Sequence, residues 1–246
     1  MRLKHYLLLC FIAILSACTE NKAETTNLES KSAIEQSANH VRRVDTDELI
    51  VLYPDFSKVD LACGEMPSKS DSNVILVVAG AYTGELLKDF KHSNIAGDHV
   101  SNGVRYKGYK CARNTGAFFY YNNKWKFCHR RYSHELDSAA IYNGAAFTQE
   151  LIIHNGEILA TTRTDGNKNC FRALCSHGDS LCVIESKSVI AFGKFKNALL
   201  EYGVTDAIYL DMGTGWNYAW YRCGSEVINL HPKAHGFCTN WVTFYR

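Results

Sequence analysis

The sequence predicts an α+β fold, a strand-rich single domain with mixed or antiparallel β-sheet and few helices. Three observations carry this. First, Asn122-Asn123, Asn155-Gly156 and Gly178-Asp179 each separate two runs rich in apolar, β-branched or aromatic residues, the signature of a two-residue hairpin. Second, residues 73–80 form a continuous apolar run rich in Val and Ile, which reads as a buried strand. Third, only one segment has clear helical spacing: Ile190, Phe192, Phe195, Leu199 and Leu200, with Ser188 as N-cap and Gly203 just past the end. Hairpins without regular alternation of strand and helix belong to the α+β class.

The N-terminus stands apart from that domain. Arg2 and Lys4 precede an apolar run over residues 6–15, too short to span a bilayer as a helix. Ser16 and Ala17 are small residues before Cys18, which completes the pattern of an export signal. Leu15-Ser16-Ala17-Cys18 resembles the bacterial lipobox, which implies a lipid on Cys18 and a mature chain that starts there. An ordinary signal peptide would leave the placement of Cys18 to accident. From Thr19 to Asp47 there is no aromatic residue, and Glu, Lys, Ser, Thr and Asn dominate. Such a stretch buries too little apolar area to offset the entropy of ordering it. It reads as a flexible tether in which only a marginal helix over 34–44 could form. The chain therefore divides into a signal (1–17), a tether (18–47) and one domain (48–246), which no Gly/Ser linker or fixed-period repeat interrupts.

Composition bounds the rest. The chain is 46% hydrophobic, 12% aromatic and 21% charged, an ordinary globular balance. It has 27 Lys+Arg against 25 Asp+Glu, and loss of Arg2 and Lys4 with the signal leaves 25 of each. No strong field draws it to nucleic acid, so no nucleic-acid partner is expected. Within the domain, residues 84–90 could make one or two helical turns. Strands are predicted over 117–121 and 124–128, 150–154 and 157–161, and 172–176 and 181–185. After the helix come 207–210, 218–222, 226–230 and 240–245.

Ten cysteines, less Cys10 in the signal and Cys18, leave eight, an even number that suggests disulfides in an oxidising envelope. The Gly178-Asp179 turn sets Cys175 opposite Cys182 on adjacent strands, the one pairing that spacing supports. Cys223 with Cys238 and Cys111 with Cys128 rest only on proximity of hairpins. Cys175, His177 and Cys182 also invite a zinc reading, but no Cys-Xaa-Xaa-Cys pair accompanies them. A catalytic Cys is disfavoured by the compartment. Asp165-Gly166-Asn167-Lys168-Asn169 opens like a calcium loop and fails at Cys170 and Ser176, where Gly and Glu are needed.

The chemistry-bearing residues fall at strand ends. Asp211 follows an apolar strand and precedes Met212-Gly213-Thr214-Gly215, permissive backbone beside a rigidly held carboxylate. A plain turn, with Asp211 capping its own backbone, is the simpler alternative. In 216–222, alternation puts Trp216, Tyr218 and Trp220 on one face and Asn217 and Tyr221 on the other. One face is core, and the other could offer rings and hydrogen bonds to a sugar. Arg172 opens an apolar strand and has the planar fork suited to phosphate, or to an ordinary ion pair. Asn143-Gly144-Ala145-Ala146-Phe147 and Asn114-Thr115-Gly116-Ala117-Phe118 are small-residue segments led by Asn. Each could turn backbone N–H groups toward an anion or make a tight turn.

The order Asn143-Gly144, Arg172-Ala173-Leu174, a helix ending at Gly203, then Asp211-Met212-Gly213 resembles the phosphodiester glycosidase domain family. That family includes the lysosomal uncovering enzyme, which removes N-acetylglucosamine from mannose-6-phosphate diesters, and its bacterial envelope branch is the closer match. The resemblance covers 141–222 and departs from the family's Asn-Gly-Gly-Phe-Phe and Asp-Gly-Gly-Gly-Ser at Ala145-Ala146 and Met212-Gly213-Thr214-Gly215. Asn114 rivals Asn143 for the family Asn. The resemblance implies a hydrolase that cleaves a sugar from a glycosyl phosphodiester. Asp211, Arg172 and Asn143 would be catalytic, with Gly144, Gly213, Trp216, Asn217 and Tyr221 on the substrate. Two-step acid/base work needs a second titratable group, for which Glu150, His99 and His177 are candidates. No cofactor is demanded, and a divalent metal is left open. The alternative is a non-catalytic envelope lipoprotein that binds glycan through its aromatic strand. In either case the partners are a glycan or sugar phosphodiester, and the membrane through Cys18.

Cys18→Ala is expected to leave an unlipidated precursor that no longer partitions with membranes. Unchanged partition on fractionation would reject the anchor.

Overall fold

The seven-stranded sheet is buried on both faces, and most of the fold follows from that. A computed structural model describes residues 40–84, 89–213, 215, 217–231 and 237–246. The signal, Cys18, Trp216 and residues 18–39 of the expected tether lie outside the described residues, as does most of the short helix expected over 84–90. No helix among the described residues is long and apolar enough to cross a membrane.

The chain begins with β1 (Val41–Asp45), β2 (Leu49–Pro54), β3 (Lys58–Cys63) and β4 (Val74–Ala79). A 3-10 turn (His92–Asn94) leads to β5 (His99–Ser101), β6 (Val104–Tyr106), β7 (Gly116–Tyr121) and β8 (Lys124–His129). Helix α1 (Ser133–Ile141) is followed by β9 (Ala145–Gln149), β10 (Leu151–His154), β11 (Glu157–Ile158) and β12 (Lys168–Asn169). Then come β13 (Arg172–His177), β14 (Ser180–Ser186), β15 (Ile190–Ala191) and α2 (Phe192–Glu201). The chain closes with β16 (Val204–Leu210), β17 (Ala219–Cys223), β18 (Glu226–Asn229) and β19 (Asn240–Tyr245). The fold is α+β and strand-rich, as its sequence predicts.

Three sheets carry the structure: β1-β2-β14-β13-β16-β10-β11, β18-β17-β4-β19-β3 and β6-β5-β9-β7-β8, with β12-β15 as a small ribbon. Every ladder between these strands is antiparallel. In the seven-stranded sheet the side chains alternate between two buried clusters. Leu52, Leu174, Val183, Ile208 and Leu210 join one core with Leu76, Val78, Phe118 and Phe244 of the other sheets. Their neighbours Val51, Ala173, Ile184, Ala207 and Tyr209 join a second core with Phe192, Phe195 and Leu199 of α2. A sheet apolar on both faces needs a cover on each: α2 covers one and the five-stranded sheets the other.

The hairpins form where their turn residues dictate. Asn122 and Asn123, and likewise Asn155 and Gly156, all have positive φ, which the twist of a two-residue hairpin requires. Residues 73–80 supply β4, fully buried between β17 and β19.

Several local expectations are corrected. The helix begins at Phe192, not at Ser188. Residues 190–191 pair with β12, and the Phe192 and Gly193 amides donate to the carbonyls of Asn167 and Asp165 at 2.8 and 3.0 Å. The preceding loop thus caps the helix, which Ser188 was expected to do. Gly203, at φ 91°, does end it. Helix α1 was missed because it buries only Leu136 and Ala139, too few to make a periodic signal. Val41–Asp45 is neither tether nor helix: it pairs with β2 along its length, so order begins before residue 48. Its Arg42, Arg43 and Asp45 are exposed on an edge strand, which conceals it in a polar sequence.

Cys175 does lie opposite Cys182 in the register of β13 and β14. The expected disulfide is nonetheless not formed: all eight described cysteines, including Cys111, Cys128, Cys223 and Cys238, are free thiols. Cys182 directs its Sγ at the Cys175 carbonyl oxygen, 3.7 Å away. Burial pushes the Cys175 thiol well up and the Cys182 thiol up to about 12, so both behave as small core groups.

Phe195→Ala, in the centre of α2 and fully buried, is expected to cost roughly 3–5 kcal/mol. Urea unfolding should show a lowered midpoint with an unchanged slope.

Candidate functional site

Polar groups excluded from both cores collect where β4, β13, β14 and β16 end and where β9 passes into β10. Asp211 is the first residue after β16, and its amide donates to the Gly80 carbonyl at 2.9 Å, tying that strand end to the end of β4. Its Oδ1 accepts the Gly213 amide at 3.1 Å. That is the self-capping turn the sequence allows, but the carboxylate also accepts amides of Met212 and of Thr83 from the loop after β4. It is 8% exposed. Burial raises its pKa to about 6, and the three amides and the charge of Arg163 only partly counter this. Asp211 is therefore a carboxyl that changes charge near neutrality.

Around it stand Glu150, a candidate from the sequence, and residues that the sequence did not single out. Arg163 donates to the Tyr82 hydroxyl at 2.9 Å and lies over the rings of Tyr209, Phe192 and Phe171. Its Nε is 3.9 Å from Glu150 Oε2. Glu150 is fully buried at the junction of β9 and β10, where Oε1 accepts from the Thr162 amide and hydroxyl at 3.2 and 3.3 Å. Oε2 has no hydrogen-bond partner among the described residues. Tyr109 also feels the charge of Asp211, and burial first of all raises its hydroxyl to about 12. Arg163, Tyr82 and Thr83 escaped notice because they sit in loops without periodicity. Only the cost of burying Glu150 signals a need for a cation.

Arg172 occupies the neighbouring strand end but the other face of the sheet. It pairs with Leu210 and shares the face of Leu174. Its Nε and Nη2 donate to Glu185 Oε2 at 3.0 and 2.7 Å, and Nη2 also reaches the Asn217 carbonyl at 3.1 Å. Burial opposes the charge of Glu185, yet Arg172 and His231 outweigh it and hold the carboxyl below its ordinary range. His231 Nε2 lies 2.5 Å from Glu185 Oε1, and its Nδ1 lies 3.3 Å from the Asn217 amide. This is largely the ordinary ion pair. One donor, Arg172 Nη1, is buried without a partner among the described residues.

No hydrogen bond or ion pair joins Arg172 to Asp211 among the described residues. The structure thus brings Asp211, Gly213, Glu150, Arg172 and Asn217 to adjoining strand ends as two clusters, not one dyad.

Other expected site residues lie elsewhere. Asn143 is exposed at φ 51° and ends α1, its amide donating to Ala140. The Gly144 amide is spent on the Ala139 carbonyl at 2.7 Å, and a Cβ there would meet the Tyr120 carbonyl. These residues are a helix C-cap, so Asn143 and Gly144 are not placed to touch a substrate at Asp211. The rival Asn114 is better placed. It precedes β7, donates to Thr148 at 2.9 Å beside the β9–β10 junction, and keeps a buried Oδ1 without a partner among the described residues.

Tyr221 is core, because β17 is buried on both faces: Tyr218 and Trp220 enter one cluster, Ala219 and Tyr221 another. No ring of β17 is left to face a sugar. His177 sits at the far end of β13 against the Tyr53 hydroxyl, at 2.8 Å. His99 is buried beside His92 and the Gly97 carbonyl, and burial lowers it to about 4. It is a neutral imidazole, with no hydrogen bond to the Asp211 carboxyl among the described residues.

The chain shares its fold with solved structures. The zebrafish N-acetylglucosamine-1-phosphodiester alpha-N-acetylglucosaminidase catalytic domain, in a form auto-inhibited by its pro-peptide, superposes with a TM-score of 0.54 over 84% of this chain and 81% of that one, at 10% identity. A hypothetical protein from Synechocystis superposes with a TM-score of 0.52 over 84% of this chain and 61% of that one, at 9% identity. No protein-family model and no curated protein matches the sequence. At these identities the likeness is one of fold alone: a strand-rich domain with the same overall architecture.

The raised pKa of Asp211 has a stability consequence. Folding takes up a proton between the ordinary value of 3.8 and about 6, so this group's contribution is complete below the ordinary value and is lost as pH rises through about 6. Asp211→Asn should therefore be more stable than the parent at pH 8 by roughly 1–3 kcal/mol relative to the difference at pH 4. Thermal melts at the two pH values measure this, and a pH-independent difference would contradict it.

Proposed function

We propose that the domain hydrolyses a glycosyl phosphodiester, separating a sugar from its phosphate, with Asp211 as the general base. The observation that carries this reading is a buried carboxyl with a pKa of about 6 at a strand end, in a domain of the phosphodiester glycosidase fold. A phosphate ester is a good leaving group and asks for charge stabilisation more than for a proton. Ionised Asp211 takes a proton from water as the water oxygen bonds to the anomeric carbon. The bond from that carbon to the phosphate oxygen breaks, and the phosphate monoester departs with the electron pair. Arg163, whose charge acts on Asp211, supplies the opposing charge. Arg172, on the other face of the sheet and held by Glu185 and the Asn217 carbonyl, is structural and takes no part on the phosphate. Asn114, rather than Asn143, orients the sugar. Substrate is met in the bacterial envelope, where Cys18 anchors the chain to a membrane.

The competing reading is a non-catalytic glycan-binding lipoprotein, and the closed Arg172–Glu185 pair favours it. One experiment separates them: turnover of p-nitrophenyl sugars and sugar-1-phosphate diesters by the soluble domain, with and without chelator. Activity should rise with pH through about 6, because the ionised form of Asp211 is the working one. Asp211→Asn should lower turnover by about 10²–10⁴-fold and remove that acid limb. An Asp211→Asn variant of normal activity, or glycan binding without turnover, would favour the binding protein.

A further inference from the structure

We propose that Cys63, His92 and His99 form a binding site for one zinc ion, a site that stands independently of the hydrolytic reading. The residues come from three elements: Cys63 closes β3, His92 opens the 3-10 turn and His99 opens β5. Their ligating atoms all lie within 4.8 Å of one another. His92 Nδ1 and His99 Nε2 are 2.9 Å apart. Two imidazole nitrogens on a tetrahedral zinc ion stand about 3.3 Å apart, from bond lengths near 2.05 Å. An opening of a few tenths of an ångström therefore admits the ion.

The surroundings orient the ligands as a metal site requires. His99 Nδ1 donates to the Gly97 carbonyl at 3.2 Å, which fixes the tautomer and turns the Nε2 lone pair toward His92 and Cys63. A ligating histidine characteristically has such a partner on its other nitrogen. The His92 ring stacks on Tyr106 at 3.3 Å between centroids and 6° between planes, with Phe90 against it at 5.2 Å. Both imidazoles are thus held before any ion arrives, and little side-chain entropy remains to be lost. Cys63 and His92 are half-buried while His99 is fully buried, so one side stays open for water as a fourth ligand. One thiolate and two imidazoles form a borderline-soft set, which suits zinc and not magnesium or calcium. Binding releases the Cys63 proton to solvent as the sulfur–zinc bond forms, and the His92 proton moves to Nε2, freeing Nδ1.

The ion would also brace the candidate active site. Cys63 pairs with Asn240, whose side chain holds both the amide and the carbonyl of Ala81 at 2.7 and 2.9 Å. Two residues further on, Thr83 donates to Asp211 and bridges to Ile95. Zinc would thus clamp together β3, β5 and the loop that supplies one of the amides holding Asp211.

The test titrates chelator-stripped, reduced full-length protein with Zn²⁺ alone, and then with Co²⁺ as a spectroscopic substitute. Zinc should bind one per chain and raise Tm by roughly 5–10 °C at a hundredfold excess over Kd. Cobalt should give tetrahedral visible bands and a thiolate charge-transfer band in the near ultraviolet. Cys63→Ser should lose the charge-transfer band, and both Cys63→Ser and His92→Gln should weaken zinc binding by about 100-fold or more. Cys223→Ser should bind as the parent does. Absence of stoichiometric zinc, or parent-like binding by both ligand variants, would overturn the site.

Discussion

Burial of the seven-stranded sheet on both faces is the constraint on which the rest of the structure depends. In β13, β14 and β16, successive side chains enter two different cores, so neither face has room for an uncompensated charge. Each large side chain removed from water there contributes roughly 1.5–3 kcal/mol, and the sum fixes strand register. Helix α2 and the other two sheets follow as the covers this sheet requires. Polar groups go where alternation ends, at the strand termini.

The two polar clusters at those termini solve the same electrostatic problem differently. Arg172 and Glu185 satisfy one another inside the protein, with His231 and the Asn217 carbonyl completing the network. Such a pair specifies geometry more than it adds stability, since desolvation offsets most of the Coulomb attraction. Among the described residues Asp211 has no comparable ion-pair partner and is held mainly by amides. Its carboxyl therefore stays responsive to pH, at a cost in stability that a plain structural turn would not incur. Groups kept in such a state are characteristic of working sites.

The cluster of Cys63, His92 and His99 shows how the smaller sheets contribute. β3 and β5 belong to different sheets, and Ile95, three residues beyond His92, bridges to Thr83, whose amide donates to Asp211. Residues 80–84 and 89–96 are thus attached both to the carboxyl and to the triad. Their backbone is pinned by the Asn240 side chain, by Gly84 to Asn94 and by Ala96 to Tyr82. Whatever orders this loop also orders the donors around Asp211.

Local signals made much of the fold legible. Asn-Gly and Asn-Asn turns require positive φ, the apolar run of β4 has no reason to be exposed, and Gly203 ends a helix at a positive φ that glycine adopts without strain; each signal lies within a few residues of what it determines. Asp211 was legible for the same reason, as an acid between an apolar strand and permissive backbone. What tertiary structure decided are relations between distant segments. Arg172 meets Glu185 because β13 pairs with β14, and Asn143 becomes a helix cap because α1 ends there. Tyr221 becomes core because β17 is covered twice, and Cys175 faces Cys182 across a ladder without bonding to it. Arg163, Tyr82 and Thr83 gain meaning only when loops far apart in sequence converge on one carboxyl. The sequence by itself determined which residues must be buried and where the chain must turn. Only packing decided which polar groups would meet, because burial is a property of each residue, whereas an ion pair, an amide cradle or a metal triad is a property of the distances between them.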